Sequence, residues 1–170
     1  MKFKINSKKN TMDLIKIKKL WDKYEKRILI EISKITGLKI DTDKTLCKID
    51  TKTSNGYYGK NQIILGIGGG INEDDTLMVI THELFHIFYW KRIKKIGLTK
   101  SSPGSESKTE WSIAEVAAFL LTSSPTLKRY WPKASIYLYP EIKKTYKETE
   151  KFWDDKKIDN FAIGAYKLNK

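Results

Sequence analysis

The sequence has little cysteine, histidine and proline, with one, two and four residues respectively among its 170. The single cysteine, Cys47, excludes an intrachain disulfide, which fits a reducing compartment, so we expect a cytoplasmic protein. No apolar run approaches the ~20 residues of a membrane span, and no apolar segment follows the basic N-terminus as in a secretory signal. The composition therefore disfavours a membrane partner and a secreted, disulfide-stabilised fold.

Negative charge is also scarce, because 33 lysines and arginines face 20 aspartates and glutamates, for a net charge of +13. Attraction to an acidic protein partner or to nucleic acid is one interpretation of this excess. The lysines are spread over the whole chain, without zinc-finger cysteine pairs or the aromatic motifs of RNA-binding domains. We therefore favour a solvated, lysine-rich surface over a nucleic-acid interface and keep an acidic partner as an alternative.

The apolar periodicity predicts an α+β fold in a single domain of residues 1–170. Apolar residues at three- and four-residue steps favour a long amphipathic helix over residues 12–36. Two strands are expected at about 45–51 and 60–67, joined through a tight turn at Asn55-Gly56. We expect these strands to pair into a small antiparallel sheet.

Three further helices are predicted from their N-terminal signals. Asn72 and the acidic residues after it start a helix over about 74–96. The capping box from Ser107 to Glu110 precedes the apolar stretch Trp111 to Leu121, and a charged helix begins at Pro140. The glycine-rich GIGGGINEDD does not have the spacing of a nucleotide-binding loop, so we interpret it as a flexible turn.

Residues 81–90, THELFHIFYW, contain both histidines, four residues apart, with a glutamate directly after the first. On a helix this spacing places His82 and His86 on one face, where both imidazoles reach a single ion. Glu83 then lies beside the metal, positioned to act on its bound water. The surrounding residues are almost all apolar, which predicts a buried helix. An uncompensated His-Glu-His group there is costly, so a metal ion is favoured over two structural histidines.

A catalytic zinc site needs three protein ligands and one open position. No third histidine exists, and Cys47 lies far upstream, so the third ligand is expected to be a carboxylate. Glu115 is the only charged residue of IAEVAAFLL, and a lone glutamate in an apolar helix needs a compensating cation. Glu110 is the competing candidate, but the capping box accounts for it. We therefore predict Zn²⁺ held by His82, His86 and Glu115.

HELFH on one helix and EVAAF on the next, with Glu115 29 residues after His86, resemble the gluzincin type of zinc metallopeptidase. The short spacing and small size are most similar to the ImmA/IrrE-like proteins and the archaeal minigluzincins. Those proteins also have a small residue and then an aromatic after the ligand glutamate, as Ala118 and Phe119 are here. The resemblance covers about residues 45–123 and implies a zinc-dependent hydrolase that acts on a peptide or protein substrate.

Two positions depart from these families. The ImmA/IrrE-like proteins usually have an asparagine shortly after the ligand glutamate, where this chain has Ala117. Lethal-factor-like gluzincins have an oxyanion-stabilising tyrosine seven residues before that glutamate, where this chain has Lys108. The residue that stabilises the transition state is therefore unassigned, with Tyr130, Tyr137 and Tyr139 as candidates.

The expected function is hydrolysis of peptide bonds by zinc-activated water, with Glu83 as general base. An extended substrate is expected to pair with the strand at residues 61–67, if that strand is the sheet edge beside the cleft. The alternative from another class is a zinc-containing regulatory or binding module of similar fold, which binds an acidic partner or nucleic acid. A closed structural metal site is less favoured, because the chain lacks the cysteines for it.

Two further hypotheses concern regulation of this activity. A latent enzyme, whose cleft a terminal segment or a second copy covers, is a further alternative, suggested by flanking regions that no motif explains. Cys47, on its predicted strand, is expected to be an ordinary half-buried residue and not an inhibitory thiolate ligand of the metal. No feature of the sequence assigns an oligomeric state.

Overall fold

The structure, a computed structural model, describes residues 1–5, 11–59, 61–69, 72–154 and 156–169. In these ranges one sheet is formed by β1 (Lys2–Ile5), β2 (Leu46–Asp50), β3 (Gly56–Tyr58) and β4 (Gln62–Gly66). The α-helices are α1 (Thr11–Thr36), α2 (Glu73–Lys95), α3 (Lys108–Ser123), α4 (Pro125–Lys128), α5 (Lys143–Thr149) and α6 (Ile158–Leu168). Short 3₁₀ turns at Pro140–Ile142 and Glu150–Phe152 flank α5. The predicted α+β class is confirmed.

The sheet has the strand order β1-β2-β4-β3 and is mixed. The prediction of an antiparallel pair between residues 45–51 and 60–67 is wrong, because β2 and β4 run parallel, with Cys47 opposite Ile63. β1, which the apolar pattern does not predict, is a second parallel neighbour of β2. β3 runs antiparallel to β4. The chain therefore leaves β2, returns along β3 and re-enters the sheet as β4, in the position between them.

The tight turn predicted at Asn55-Gly56 is also wrong. Gly56 is the first residue of β3, and it is not among the glycines with the positive φ that a type I′ turn requires. The hairpin turns instead after β3, where the N–H of Gly59 donates to the carbonyl of Gln62 at 2.8 Å. Asn55-Gly56 therefore leads into β3 and does not form the turn of a hairpin.

Residues 53–55 cross the end of β4 at Gly66. The N–H of Gly66 donates to the carbonyl of Asn55 at 3.1 Å, and a Cβ at position 66 would lie 2.6 Å from that oxygen. Gly66, the first glycine of the run GIGGG, is therefore required because another backbone segment lies too close for a side chain. The interpretation of this run as a flexible turn did not predict that contact. The crossing brings Gly56 against α2.

Helices α1, α2 and α3 follow the predicted signals, whereas the charged helix predicted from Pro140 is the shorter α5 between two 3₁₀ turns, and α4 and α6 were not predicted. The Asn72 side chain accepts hydrogen bonds from two N–H groups in the first turn of α2, and α3 starts with a complete capping box between Ser107 and Glu110. Gly37 and Gly97 follow α1 and α2 with φ of 61° and 75°, the left-handed conformation that ends many helices. These signals act between near neighbours in the chain, so the sequence alone predicts them.

α2 lies at the centre of the core. Strands β3 and β4 and helices α1, α3 and α6 pack around it, and every residue from Glu83 to Trp90 is buried. The predicted burial on all sides is therefore confirmed. Cys47 on β2 is fully buried and not half-buried, and burial raises the pKa of its thiol to about 12. None of the described helices has both the length and the apolarity to cross a bilayer.

After α4, residues 133–139 form neither helix nor strand, and we call them the 133–139 segment. The backbone N–H groups of Lys133 and Ser135 donate to the carboxylates of Asp74, at 2.6 Å, and Asp75, at 3.1 Å. Both aspartates lie in the first turn of α2, where their charge suits the helix dipole. They also tie the segment to α2, a contact between distant parts of the chain.

Candidate metal centre

Two helices bring His82, His86 and Glu115 together. The histidines lie one turn apart on α2, and Glu115 projects from α3, which packs against α2. His82 Nε2 lies 3.1 Å from His86 Nε2 and 3.2 Å from Glu115 Oε2, and His86 Nε2 lies 3.3 Å from Glu115 Oε1. Among the described residues, these three form the one group of histidine, cysteine or carboxylate side chains arranged to share a metal ion.

The donor set fits a zinc ion. Bonds of about 2.0–2.1 Å in a tetrahedral arrangement separate neighbouring ligand atoms by about 3.3 Å. The two histidine Nε2 atoms lie 3.1 Å apart, and each lies 3.2–3.3 Å from a different oxygen of Glu115, so the carboxylate faces both imidazoles. Two imidazoles and one carboxylate are a ligand set of catalytic zinc sites, and they leave one position open. In the described part of the chain, the ion-pair partners of Glu115 are the two histidines, without lysine or arginine. Among the described residues, therefore, only the two histidines lie close enough to balance its charge, and a metal ion between them would do the same.

The two histidines differ in exposure. His86 is fully buried and stacks on Tyr58, with the ring centroids 4.2 Å apart. The stacking holds the imidazole plane and so the direction of Nε2. The His82 side chain keeps 18% of its surface exposed. The centre is therefore closed on the side of His86 and accessible on the side of His82.

The charge state of Glu115 suits metal binding, whereas a proton on His82 would compete with a metal ion. Burial opposes the charge of Glu115, but His86 and His82 outweigh it and hold the pKa of the carboxyl far below its usual range. Burial also opposes protonation of His82, whereas Glu115 and Glu83 outweigh burial and raise the pKa of this imidazole. Glu115 is therefore ionised at neutral pH, as a metal ligand must be.

Glu110, the competing ligand candidate, lies elsewhere. Its carboxylate accepts hydrogen bonds from the N–H of Ser107 at 2.9 Å, from Ser101 Oγ at 2.9 Å and from the hydroxyl of Thr99. These bonds cap α3 and anchor the loop before it. The structure brings Glu115, and not Glu110, to the two histidines.

Glu83 is buried beside the centre and faces β3 at Gly56. Burial raises the pKa of its carboxyl, an effect that His82 and His86 partly offset. A raised pKa moves a carboxyl towards the neutral range, in which a general base works best. Both the position of Glu83 and the direction of this pKa shift suit the role that the motif predicts.

A cleft with two chambers opens over the centre. Both chambers are lined by Asn55, Gly56, His82, Glu83 and Tyr139. The first, which we call the aromatic chamber, has a volume of about 280 Å³ and is further lined by Tyr57, Tyr58, Glu106, Trp111 and Glu115. The second has a volume of about 170 Å³ and is further lined by Ser54, Met78, Val79, Phe119, Ser135, Ile136 and Tyr137; we call it the apolar chamber after its aliphatic and aromatic side chains. The centre therefore lies between two spaces of different chemistry.

The free sheet edge beside the cleft belongs to β3. Strand β4 pairs with β2 on one side and with β3 on the other. The expectation that residues 61–67 form the edge is therefore wrong. β3 pairs with β4 alone among the described strands. The start of β3 and the 133–139 segment both line the apolar chamber, so they form two walls of the cleft.

The three tyrosines considered as oxyanion donors lie in different places. Tyr139 lines both chambers, and Tyr137 lines only the apolar chamber. Tyr130 packs against Tyr24, with ring centroids 5.6 Å apart, and lines neither chamber. Burial and the two nearby site carboxylates raise the pKa of Tyr139, so its phenol keeps its proton at neutral pH.

Among the cleft residues that were not predicted from the sequence, Tyr58 and Glu106 have polar contacts within the site. Tyr58 belongs to a stretch interpreted as a turn, and Glu106 directly precedes the capping box without a motif of its own. The pair of tyrosines between two glycines is a weak strand signal that would have placed Tyr58. No local pattern identifies Glu106, because its position depends on how the loop before α3 packs over the cleft.

Comparison of the chain with protein-family models, curated proteins and solved structures finds no match. The resemblance to gluzincins concerns two short motifs and stays an expectation. The function of the site is therefore argued from its own geometry and chemistry.

Proposed function

We propose that this protein is a zinc-dependent metallopeptidase of the gluzincin type, with a peptide or protein as substrate. The observation that carries the proposal is the convergence of His82, His86 and Glu115. The histidine Nε2 atoms lie 3.1 Å apart, and each lies within 3.3 Å of one Glu115 oxygen, in a cleft that Glu83 also lines. These polar groups are costly to bury in an apolar core without a cation. Zinc at this position would supply a Lewis acid and lower the pKa of its bound water.

Glu83 is the proposed general base. Its carboxylate takes a proton from the attacking water and later delivers it to the amine that leaves as the peptide bond breaks. Burial supports both steps, because a raised pKa makes the carboxylate a stronger base and its protonated form easier to populate. The backbone of β3 covers Glu83 and limits access of bulk water to the proton.

Tyr139 is the proposed donor to the oxyanion that forms at the substrate carbonyl. Its raised pKa keeps the phenol protonated, so the hydroxyl can donate a hydrogen bond to the developing charge. Because Tyr139 lines both chambers, it borders the substrate on either side of the scissile bond. This role would replace that of the tyrosine which lethal-factor-like gluzincins have seven residues before the ligand glutamate, where this chain has Lys108.

The free edge of β3 is the proposed binding site for the substrate backbone. An extended peptide that adds to this edge forms main-chain hydrogen bonds and places alternate side chains in the chambers. The 133–139 segment lies across the cleft from β3 as the second wall. The peptide would thus be held between them, with its scissile bond above the metal centre.

The test is peptidolysis by the purified, zinc-loaded protein, measured on a fluorogenic peptide library and on an unfolded protein. The wild type is expected to cleave, and Glu83→Gln is expected to keep its zinc by elemental analysis and to lose roughly 10²–10⁴-fold in kcat. Glu148→Gln, which changes an exposed glutamate on α5, is the control and should match the wild type. Peptidolysis that survives Glu83→Gln unchanged would contradict the proposal.

A zinc-containing binding module is the alternative that the net charge of +13 favours. Bound zinc with no cleavage of any substrate, together with salt-sensitive binding to DNA or to an acidic protein, would support that function instead. For either function we propose a cytoplasmic location, which the single, unpaired cysteine supports.

A further inference from the structure

The aromatic chamber is acidic in a strongly basic protein. Its described lining includes the carboxylates of Glu83, Glu106 and Glu115 and no lysine or arginine, although basic residues outnumber acidic ones by 33 to 20 in the chain. Glu83 and Glu115 are accounted for by the metal centre, since two carboxylates balance one divalent ion. Among the described residues of the chamber, Glu106 is left as the carboxylate without a counter-charge.

The hydrogen bonds of Glu106 are incomplete. Its Oε1 accepts a hydrogen bond from the hydroxyl of Tyr58 at 3.3 Å. Its Oε2 is buried and has no hydrogen-bond partner among the described residues. Within the same residues, no lysine or arginine forms an ion pair with Glu106. A buried carboxylate oxygen without a donor is costly, so a ligand that brings charged N–H groups would be stabilised there.

A structural role at the start of α3 does not account for Glu106. It precedes the N-cap Ser107, where a negative charge suits the helix dipole. However, neither oxygen of Glu106 bonds to the helix: Oε1 accepts a hydrogen bond from Tyr58, and Oε2 accepts none from a described group. Glu110 already completes the capping box with Ser107. By its contacts, therefore, Glu106 belongs to the cleft and not to the helix cap.

The other walls of the chamber are suited to a cation. The rings of Tyr57, Tyr58 and Trp111 line it, and aromatic faces attract ammonium and guanidinium groups. The long aliphatic stem of a basic side chain packs on the same rings. The chamber has a volume of about 280 Å³, near the lower limit of about 300 Å³ for small-molecule pockets. It is therefore of a size to hold one side chain.

We propose that the aromatic chamber is a specificity pocket for a lysine or arginine side chain of the substrate, with Glu106 as its counter-charge. The inference rests on the proposed peptidase function, which places the pocket beside the scissile bond. Glu106 binds and orients the substrate and takes no part in proton transfer. Its removal should therefore act on KM for basic substrates and leave the cleavage of neutral substrates nearly unchanged.

Peptides that differ at one position test the pocket. Lysine, arginine, norleucine and glutamate are placed in turn at each position of a neutral peptide, and kcat/KM is measured for the zinc-loaded wild type. One position is expected to prefer the basic residues over norleucine by about tenfold or more. In Glu106→Gln that preference should fall to about twofold, and in Glu106→Lys it should change to glutamate. Glu73→Gln, which removes an exposed charge from the first turn of α2, should behave as the wild type.

Equilibrium binding separates the pocket from the chemistry. The same peptides are titrated into zinc-loaded Glu83→Gln, with and without Glu106→Gln, and their dissociation constants are compared. If the basic peptides bind more tightly and this preference depends on Glu106, the pocket is supported. If the wild type nevertheless cleaves no peptide, only the peptidase proposal fails. Cleavage by the wild type without a basic preference, or a preference that survives Glu106→Gln, overturns the pocket and leaves the peptidase proposal intact. The wild-type preference requires no variant, so misfolding of Glu106→Gln would not remove the test.

Discussion

Gly56 and Glu83 lie in direct contact, since a Cβ at position 56 would stand 2.5 Å from Glu83 Oε1 and 2.6 Å from Val79 Cγ1. A side chain fits there only if Glu83 and Val79 move, so the backbone of β3 lies directly against the carboxylate of the proposed base. Glycine is needed here for its missing side chain and not for its backbone freedom, because its φ is not positive. The contact couples the proposed substrate-binding edge to the position of Glu83.

Gly56→Ala tests this contact. The added methyl group should displace Glu83 or shift β3, and we expect kcat/KM to fall by roughly 10²-fold while zinc content is unchanged. Gly59→Ala is the matched control in the same hairpin, because the nearest atom to its Cβ would be Gln62 Cγ at 3.4 Å. If the two variants cleave peptides equally well, the contact does not position the base.

The third ligand is tested by zinc content. Glu115→Ala leaves two imidazoles and an uncompensated charge on the ion, so we expect most of the zinc to be lost on dialysis. Glu110→Ala should keep its zinc and lose about 1 kcal/mol of unfolding free energy, because its capping hydrogen bonds disappear. Elemental analysis and urea denaturation measure the two effects. Zinc lost from Glu110→Ala but kept by Glu115→Ala would reassign the ligand.

The tether of the 133–139 segment is tested at Asp74 and Asp75. The double variant Asp74→Ala, Asp75→Ala removes the acceptors that hold the segment, so the second wall of the cleft should loosen. We expect kcat/KM to fall by about tenfold with zinc content unchanged. Glu73→Ala is the control, because it removes a charge from the same turn of α2 but leaves Asp74 and Asp75, which accept the hydrogen bonds of the segment, in place. An equal loss of activity in Glu73→Ala would assign the effect to the helix dipole and not to the tether.

Tyr139→Phe removes the proposed oxyanion donor and keeps the ring. We expect kcat to fall by roughly 10²–10³-fold with little change in KM, as found when a single oxyanion donor is lost. Tyr130→Phe is the control, because Tyr130 lines neither chamber, and it should match the wild type. Steady-state kinetics on one good library peptide give both constants. A rise in KM at constant kcat would instead make Tyr139 a binding residue.

The three long helices α1, α2 and α3 were predictable from the sequence because their signals are local. Asn72, the capping box at Ser107 and the glycines after α1 and α2 all act within a few residues of a helix end. The all-round burial of α2 followed from its composition. The sheet was less predictable, because its residues do not say whether two strands pair in parallel or antiparallel orientation. That orientation depended on where residues 53–55 cross, a contact that Gly66 permits.

For the candidate site, the available chemistry is already evident from the sequence. Its two histidines stand one helical turn apart, and Glu83 and Glu115 are carboxylates in apolar helices, where burial makes them costly without a partner. The tertiary structure alone decided that β3 is the free edge, that Tyr139 and Glu106 line the cleft and that two aspartates hold its second wall. These contacts join residues far apart in the chain. They depend on how the helices and strands pack against each other, and no local pattern of residues predicts that packing.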